Sequence, residues 1–141
     1  MIMTAPTLTR IHHLGLTVRD AGASARWYEK VLGFTRSGDF VSADESRRKV
    51  FVEQPSLGVR IGLCQHAAAS GAEFSELNPG LDHLAFGVDS VADLEACAAR
   101  LAQHGVTYSP IADANTIPGA KVLVFRDPDH IQLELIATPG I

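Results

Sequence analysis

The sequence predicts an α+β fold in which two βαβββ modules form a curved mixed sheet around a shared cavity. Residues 11–18 and 81–88 share the pattern His-Leu-x-(Leu/Phe)-x-Val, which places His13 and His83 70 residues apart. Apolar residues at helical spacing follow each copy, and three strand-like runs follow each helix. A repeat at a fixed interval indicates a fold built from similar units. Because neither sheet can bury both faces alone, we expect one face to take the helix and the other to line the cavity.

Length and composition are those of one globular domain. The chain has 141 residues, of which 46% are hydrophobic and 20% charged. We expect a single domain over residues 1–141, with the first module at about 10–66 and the second at about 81–138. Cys64 and Cys97 lack the Cys-x-x-Cys spacing of a disulfide or thiolate zinc framework, so both are expected to be free.

Charge and hydropathy argue against two classes of partner. The net charge is −4 and the basic residues are scattered apart from positions 47–49, so nucleic acid is not an expected partner. No apolar run is long enough to cross a membrane and no secretory leader is evident. We therefore expect a cytoplasmic protein without a membrane partner.

The elements of the first module follow from alternation and capping residues. Residues 11–18 alternate as a strand, and Asp20 is placed to cap a helix that ends at Gly33. Strand-like runs follow around Phe40, at 50–53 and at 59–64. The basic run at 47–49 is interpreted as a solvated turn.

The second module repeats this order after a long connection. Residues 65–80 show little periodicity, and loops of this length often face a substrate, which draws attention to Glu76. Residues 81–88 then form a strand, and Ser90 with Asp93 gives a capping signal for a helix that ends near Gly105. Three strands are expected at 106–111, 122–126 and 131–136, with a turn at 127–130.

Alternation places a carboxylate on the cavity face of the last strand. Ile131, Leu133 and Leu135 form the apolar set that faces the helix, which leaves Glu134 on the opposite face with His13 and His83. A single strand histidine is more often structural. Two imidazoles and one carboxylate on converging strands, however, are the ligands of a facial-triad metal site with open positions for substrate. Fe(II) or Mn(II) suits this set best, with Ni(II) or Zn(II) as alternatives.

The repeat also predicts that a fourth protein ligand is absent. Gly62 is the counterpart of Glu134 and has no side chain that could bind a metal. A fourth protein ligand is therefore absent unless a loop residue such as His66 supplies it. Arg60 shares the face of Gly62 and is expected to attract an anionic substrate group. Tyr108 is a candidate acid or base. Cys64 and Glu76 are further candidates to line the cavity, although packing is the simpler role for Cys64.

Four stretches of the sequence resemble the vicinal-oxygen-chelate superfamily of glyoxalases, bleomycin-resistance proteins and extradiol dioxygenases. They are residues 11–20, 27–34, 81–86 and 125–134. The resemblance implies paired βαβββ modules around a divalent metal, often in a homodimer, and its ligand positions fall on His13, His83 and Glu134. Those are the residues that strand alternation selects independently.

Departures from the family pattern narrow the function. Gly62 stands where glyoxalase I has a carboxylate and the methylmalonyl-CoA epimerase a glutamine, which argues against both activities. The chain end lacks the basic, tyrosine-containing tail that grips fosfomycin, and His130 replaces a turn glycine. We therefore expect a metal-dependent enzyme that chelates a small oxygen-rich substrate, with dioxygenase-like and lyase, isomerase or transferase chemistry both open. The alternative is a metal-free protein that sequesters a small molecule.

Overall fold

The computed structural model describes residues 3–139, and within them two helices and eight strands follow the predicted order. The α+β class and the two βαβββ modules are thereby confirmed. A short 3-10 helix at Pro55–Leu57 precedes the fourth strand. The elements are β1 (His13–Thr17), α1 (Ala21–Leu32), β2 (Thr35–Val41), β3 (Arg47–Glu53), β4 (Arg60–His66), β5 (Leu84–Val88), α2 (Val91–Gln103), β6 (Ala112–Asp113), β7 (Lys121–Arg126) and β8 (Gln132–Ala137).

Each module has its own four-stranded mixed sheet, and the two sheets share one topology. The strand orders are β1-β4-β3-β2 and β5-β8-β7-β6. In each, the first strand pairs in parallel with the last and the remaining pairs are antiparallel. Gly15 pairs with Gly62 in the first sheet and Ala85 pairs with Glu134 in the second. Gly62 and Glu134 are therefore equivalent positions, as the repeat predicts.

The chain divides into two compact units. The first contains the chain up to Glu29 and Gly33–Ala68, and the second contains Lys30–Leu32 and the chain from Ala69 onward. Large fully buried side chains form the core of each unit, because alternate strand residues and one face of each helix are apolar. They include Tyr28, Val50, Val52 and Leu63 in the first unit and Leu94, Leu101, Leu123 and Leu133 in the second.

The predicted caps define both helices. The side chain of Asp20 accepts a hydrogen bond from the backbone N–H of Ala23 at 3.0 Å, and Gly33 ends α1 in the left-handed region at φ 71°. Ser90 accepts from the N–H of Asp93 at 3.0 Å and begins α2 in the same way. Each cap satisfies a backbone donor that the first helical turn leaves free.

The basic run at 47–49 is part of β3 and not a turn. The turn between β2 and β3 lies just before it, around Asp44, whose carboxylate accepts from the hydroxyls of Ser42 and Ser46, both at 2.7 Å. These bonds, the one from Ser46 first, lower the pKa of Asp44 to about 2. The predicted turn is therefore displaced because a short acidic and hydroxyl sequence closes it locally.

The strand expected at 106–111 is also wrong, because β6 comprises only Ala112–Asp113. Pro110 has no backbone N–H to donate to a ladder. The hydroxyl of Ser109 accepts from the N–H of Val124 at 2.8 Å in place of a strand carbonyl. Tyr108 forms only an isolated bridge with Phe125. Because of Ser109 and Pro110, the regular strand β6 begins only at Ala112.

Candidate functional site

The second unit brings together two of the three predicted metal ligands. His83 stands immediately before β5, and Glu134 lies on β8, the strand beside it. The imidazole Nε2 of His83 lies 3.6 Å from Oε2 of Glu134. Both side chains reach solvent, with exposed fractions of 41% and 22%. A small ligand therefore has access to the pair.

Asp82 holds the ring of His83 in one orientation. Its Oδ1 lies 2.7 Å from Nδ1 of His83, and the amide of Gln132 donates to the carbonyl and the carboxylate of Asp82 at 3.1 and 3.3 Å. Because an ionised carboxylate only accepts, the proton of a neutral His83 lies on Nδ1. The lone pair of Nε2 then faces a carboxylate oxygen of Glu134. Two facing acceptors suit a cation, and a carboxylate on the far nitrogen is the usual support of a metal-bound histidine.

His13 lies on β1 in the first unit, whereas His83 and Glu134 belong to the second. Its Nδ1 lies 3.0 Å from Nδ1 of His12, so each predicted ligand histidine is contacted at Nδ1 by the residue before it. Across residues 3–139, no group of three or more His, Cys, Asp or Glu side chains is arranged to hold a metal ion. The complete ligand set therefore stays a prediction.

Gly62 leaves room for an aromatic side chain. A Cβ at this position would lie 3.1 Å from Cε1 of Phe51 and 3.4 Å from Cδ of Lys49. The first distance is tighter than ordinary van der Waals contact and the second is at its lower limit. In the first unit, the ring of Phe51 and the stem of Lys49 therefore fill the space beside Gly62. The equivalent position in the second unit carries the carboxylate of Glu134.

Arg60 contacts the same aromatic ring. It pairs with His13 in the ladder between β1 and β4, and its Cζ lies 4.2 Å from the centroid of Phe51. Nζ of Lys49 lies 5.7 Å from that centroid, and the ring of His13 packs against Phe51 edge to face at 6.0 Å. Sequence reasoning missed Phe51 and Lys49. Their two-residue spacing on β3, opposite Gly62, is the signal that could have identified them.

The remaining predicted residues lie in three places. Cys64 is half-buried on the face of Gly15, 3.8 Å from where that glycine's Cβ would be, and His66 is exposed at the end of β4. Glu76 is bound to Arg126. The bridge partner of Tyr108 is the buried Phe125, whereas Glu134 pairs with the neighbouring residue of β7. The register thus assigns Tyr108 to the face of the second sheet that is opposite Glu134. Its catalytic role stays a prediction.

Glu76 fixes the long connection to the second sheet. Both of its carboxylate oxygens accept from the guanidinium of Arg126, each at 2.9 Å. This hydrogen-bonded pairing lowers the pKa of Glu76 to about 2. The N–H of Phe74 donates to the carbonyl of Asp129 at 3.2 Å, which adds a backbone contact with the turn before β8. The connection is therefore held at two points.

Among residues 3–139, the first unit has open cavities in at least two places. One of about 360 Å³ is lined by Arg10, His12, Glu53, Gln54, Pro55, Gly58, Val59 and Arg60. Another, of about 320 Å³, is lined by Phe40, Val41, Ser42, Arg47, Lys49 and Phe51. Both volumes fall in the range of small-molecule sites. Between residues 3 and 139, no helix has the length and apolar character needed to cross a bilayer.

Comparison with known proteins gives one family and several similar structures. The sequence profile of the Glyoxalase/Bleomycin resistance protein/Dioxygenase superfamily matches residues 10–135. A glyoxylase/bleomycin resistance protein/dioxygenase domain from Frankia sp. EAN1pec is 33% identical, with a TM-score of 0.83 over 94% of this chain and 100% of that one. No functionally curated protein matches the sequence.

Two more distant structures share the fold. TnmS3, an antibiotic binding protein from Streptomyces sp. CB03234, is 20% identical with a TM-score of 0.70, over 96% of this chain and all 100% of its own. The fosfomycin resistance protein FosX from Listeria monocytogenes, complexed with Mn(II) and sulfate, is 17% identical with a TM-score of 0.70, over 94% of this chain and 95% of its own. At these identities the likeness establishes fold alone.

Proposed function

Because the chain belongs to the Glyoxalase/Bleomycin resistance protein/Dioxygenase superfamily, we propose that it is an enzyme that depends on a divalent metal and binds a small, oxygen-rich substrate by bidentate chelation. His13, His83 and Glu134 are the proposed ligands. The observation that carries the proposal is the approach of Nε2 of His83 to the carboxylate of Glu134, at 3.6 Å, with Nδ1 held by Asp82.

The donor set fits such a metal. Two neutral imidazoles and one carboxylate match Fe(II) or Mn(II), with Ni(II) or Zn(II) as alternatives, and they leave positions for two substrate oxygens. When bound, the metal acts as a Lewis acid that polarises those oxygens and holds the substrate in place. FosX binds Mn(II) on the same fold, which agrees with this choice of metal.

The chain's own residues bind and orient the substrate. The guanidinium of Arg60 attracts an anionic group to the face that carries His13. In a neutral His83 ring, the contact with Asp82 holds the proton on Nδ1 and leaves Nε2, the proposed metal-binding atom, facing Glu134. Dioxygenase-like cleavage and lyase, isomerase or transferase chemistry both stay open. Tyr108 has no part in this scheme, because the register assigns it to the face of the sheet opposite Glu134.

The proposed protein is a cytoplasmic homodimer. The proposed ligands are divided between the two compact units, with His13 in one and His83 and Glu134 in the other. The superfamily resemblance implies a homodimer, and two-fold dimers are the commonest soluble oligomers. Light scattering on the purified protein is expected to give the mass of a dimer.

Metal content tests the proposal directly. Protein stripped with a chelator is reloaded with Fe(II), Mn(II), Ni(II) or Zn(II), desalted and measured by elemental analysis, with about one metal per chain expected. His83→Ala should lose that metal, whereas His104→Ala, which changes a histidine at the end of α2, should keep it. Metal far below one per chain with all four ions would contradict the proposal.

A metal-free binding protein is the second candidate. TnmS3 binds an antibiotic on the same fold, and the cavity beside Phe40 and Val41 offers an exposed apolar wall to a ligand. This alternative predicts tight binding of a small molecule by protein that holds no metal. The reloading experiment separates the two candidates.

A further inference from the structure

An aromatic-cation cluster lies on the face of the first sheet that carries His13. It consists of Phe40, Lys49, Phe51 and Arg60. The ring of Phe51 is its centre, only 8% exposed, and Phe40 packs against it edge to face at 6.1 Å. Phe40 itself is 60% exposed. The cluster therefore has a fixed aromatic base and an accessible aromatic rim.

Two cations are held over this base. Arg60 and Lys49 both lie within cation–π distance of Phe51, at 4.2 and 5.7 Å from its centroid. Within residues 3–139, neither is within salt-bridge distance of a carboxylate. Arg48, on the opposite face of the same strand, is paired with Asp39 at 2.8 Å. The charges of Lys49 and Arg60 are thus positioned by an uncharged ring and stay available to an anion.

The adjoining cavity joins Lys49 to apolar side chains, and Arg60 lies next to it through the ring of Phe51, which both contact. The cavity of about 320 Å³ is lined by Phe40, Val41, Ser42, Arg47, Lys49 and Phe51. Val41 is 59% exposed. An aromatic ring gains from edge-to-face contact with another aromatic ring, and a carboxylate gains from Lys and Arg donors. A flat ring that carries a carboxylate satisfies both sides.

We propose that the aromatic-cation cluster binds an aryl carboxylate, with its ring against Phe40 and Val41 and its carboxylate held by Lys49 and Arg60. The proposal rests on the proposed function, because it names the substrate class of that enzyme. It needs no metal, since all four cluster residues belong to the first unit. Binding can therefore be measured on protein kept in a chelator.

Fluorescence or calorimetric titration with 2-naphthoate tests the proposal. We expect saturable binding of 2-naphthoate. The Kd should rise about fivefold in Lys49→Gln, in Arg60→Gln or in both, because a charge pair near the surface contributes at most about 1 kcal/mol. Phe40→Ala should weaken it as well, and its exposed position leaves the core intact. Arg48→Gln is the matched control, one residue along β3 but on the opposite face, and should bind as the wild type does.

Two further probes separate the parts of the ligand. The neutral 2-naphthamide lacks the charge and inorganic phosphate lacks the ring, so both should bind at least several times more weakly than 2-naphthoate. Equal binding of either probe, absence of 2-naphthoate binding, or unchanged affinity in both charge variants would overturn the proposal. Circular dichroism of each variant excludes unfolding as the cause.

The two proposals fail separately. One metal per chain without binding of 2-naphthoate would contradict the aryl-carboxylate proposal but agree with a metal-dependent enzyme. Binding of 2-naphthoate by protein that never takes up metal would contradict the enzyme proposal and indicate a carboxylate-binding protein.

Discussion

The two modules share one topology but carry different chemistry on equivalent positions of their sheets. Phe51 pairs with Gly62 in the first sheet, and Val124 pairs with Glu134 in the second. By the same registers, the two cations of the first sheet are replaced by uncharged residues in the second. Val122 occupies the position equivalent to Lys49, and Gln132 the position equivalent to Arg60.

The difference shows how one strand pattern can serve two purposes. The ring of Phe51 crowds position 62, where an added Cβ would lie 3.1 Å from Cε1, so glycine is the residue that fits without displacing the ring. The residue paired with Glu134 is Val124, which is smaller than phenylalanine. Each sheet therefore carries either an aromatic-cation cluster or a carboxylate, because a side chain at position 62 would compete with the ring for the same space. The proposed enzyme needs one sheet of each kind.

The largest expected effect is loss of the carboxylate from the second sheet. Glu134→Ala should weaken metal binding about 100-fold or more, since removal even of a residue that only supports a ligand costs about 10-fold to 100-fold. Elemental analysis after reloading measures this change. Glu95→Ala, on α2, is the control and should retain the metal. A Glu134 variant with full metal content would mean that the ligand is misassigned.

Placing the carboxylate in the first sheet should destroy the cluster and not add a ligand. Gly62→Glu forces Phe51 and Lys49 to move, and overpacking of this kind costs about 1–3 kcal/mol of unfolding free energy. Binding of 2-naphthoate should also fall. Denaturant titration measures the stability.

Gly87→Ala is the matched strand glycine for that experiment, because its added Cβ meets nothing closer than 4.0 Å. We expect little change in its free energy of unfolding. If Gly62→Glu is as stable as Gly87→Ala, the two sheets do not exclude each other's chemistry.

The residue before each ligand histidine offers a finer comparison. Asp82→Ala should weaken metal binding about 10-fold, because the ring of His83 loses its fixed orientation. His12→Ala should weaken it less, since a histidine can donate or accept and fixes the tautomer of His13 less firmly. Calorimetric metal titration compares the two. Asp89→Ala, beyond β5, is the control, and an Asp82 variant that matches it would exclude the positioning role.

The smallest expected effect concerns the connection between modules. Arg126 of the second sheet is equivalent to Glu53 of the first. Arg126 forms an ion pair with Glu76 of the connection. Because folding lowers the pKa of Glu76 to about 2, its contribution to stability is present above the ordinary glutamate pKa and is lost as the pH falls through about 2.

The melting temperatures of wild type and Glu76→Gln should therefore differ slightly at neutral pH and converge on acidification below about pH 4. Glu73→Gln is the control, because Glu73 lies on the same connection and its Oε1 is 3.5 Å from Nε2 of the exposed His130. A difference that does not shrink at low pH would show that the pairing with Arg126 does not stabilise the fold.

Features that depend on local pattern could be predicted from the sequence. Strand alternation placed Glu134 on the face opposite the buried Leu133 and Leu135, and the repeat aligned it with Gly62. The turn at 127–130 is confirmed, and His130, which replaces a glycine there, has a positive φ of 65°. The helix caps follow the same logic, because each needs only a few neighbouring residues.

Features that depend on contacts between strands could not be predicted. The burial of Phe51 under Arg60 requires the register of β3 on β4, which no periodicity specifies. The contact of Asp82 with Gln132 joins residues that lie 50 positions apart. Position 47 was assigned to a turn because charge alone suggested exposure, whereas the ladder with His66 extends β3 to that point.

The order of the first sheet bears on how the protein behaves at high concentration. β2 is an edge strand, and its last residues, Phe40 and Val41, are the exposed apolar wall of the proposed carboxylate site. Uncovered apolar edges are where sheets of separate molecules add to one another. Asp39, paired with Arg48, interrupts this edge with charge. A bound aryl carboxylate would cover the rest, so occupancy of the site should also delay aggregation.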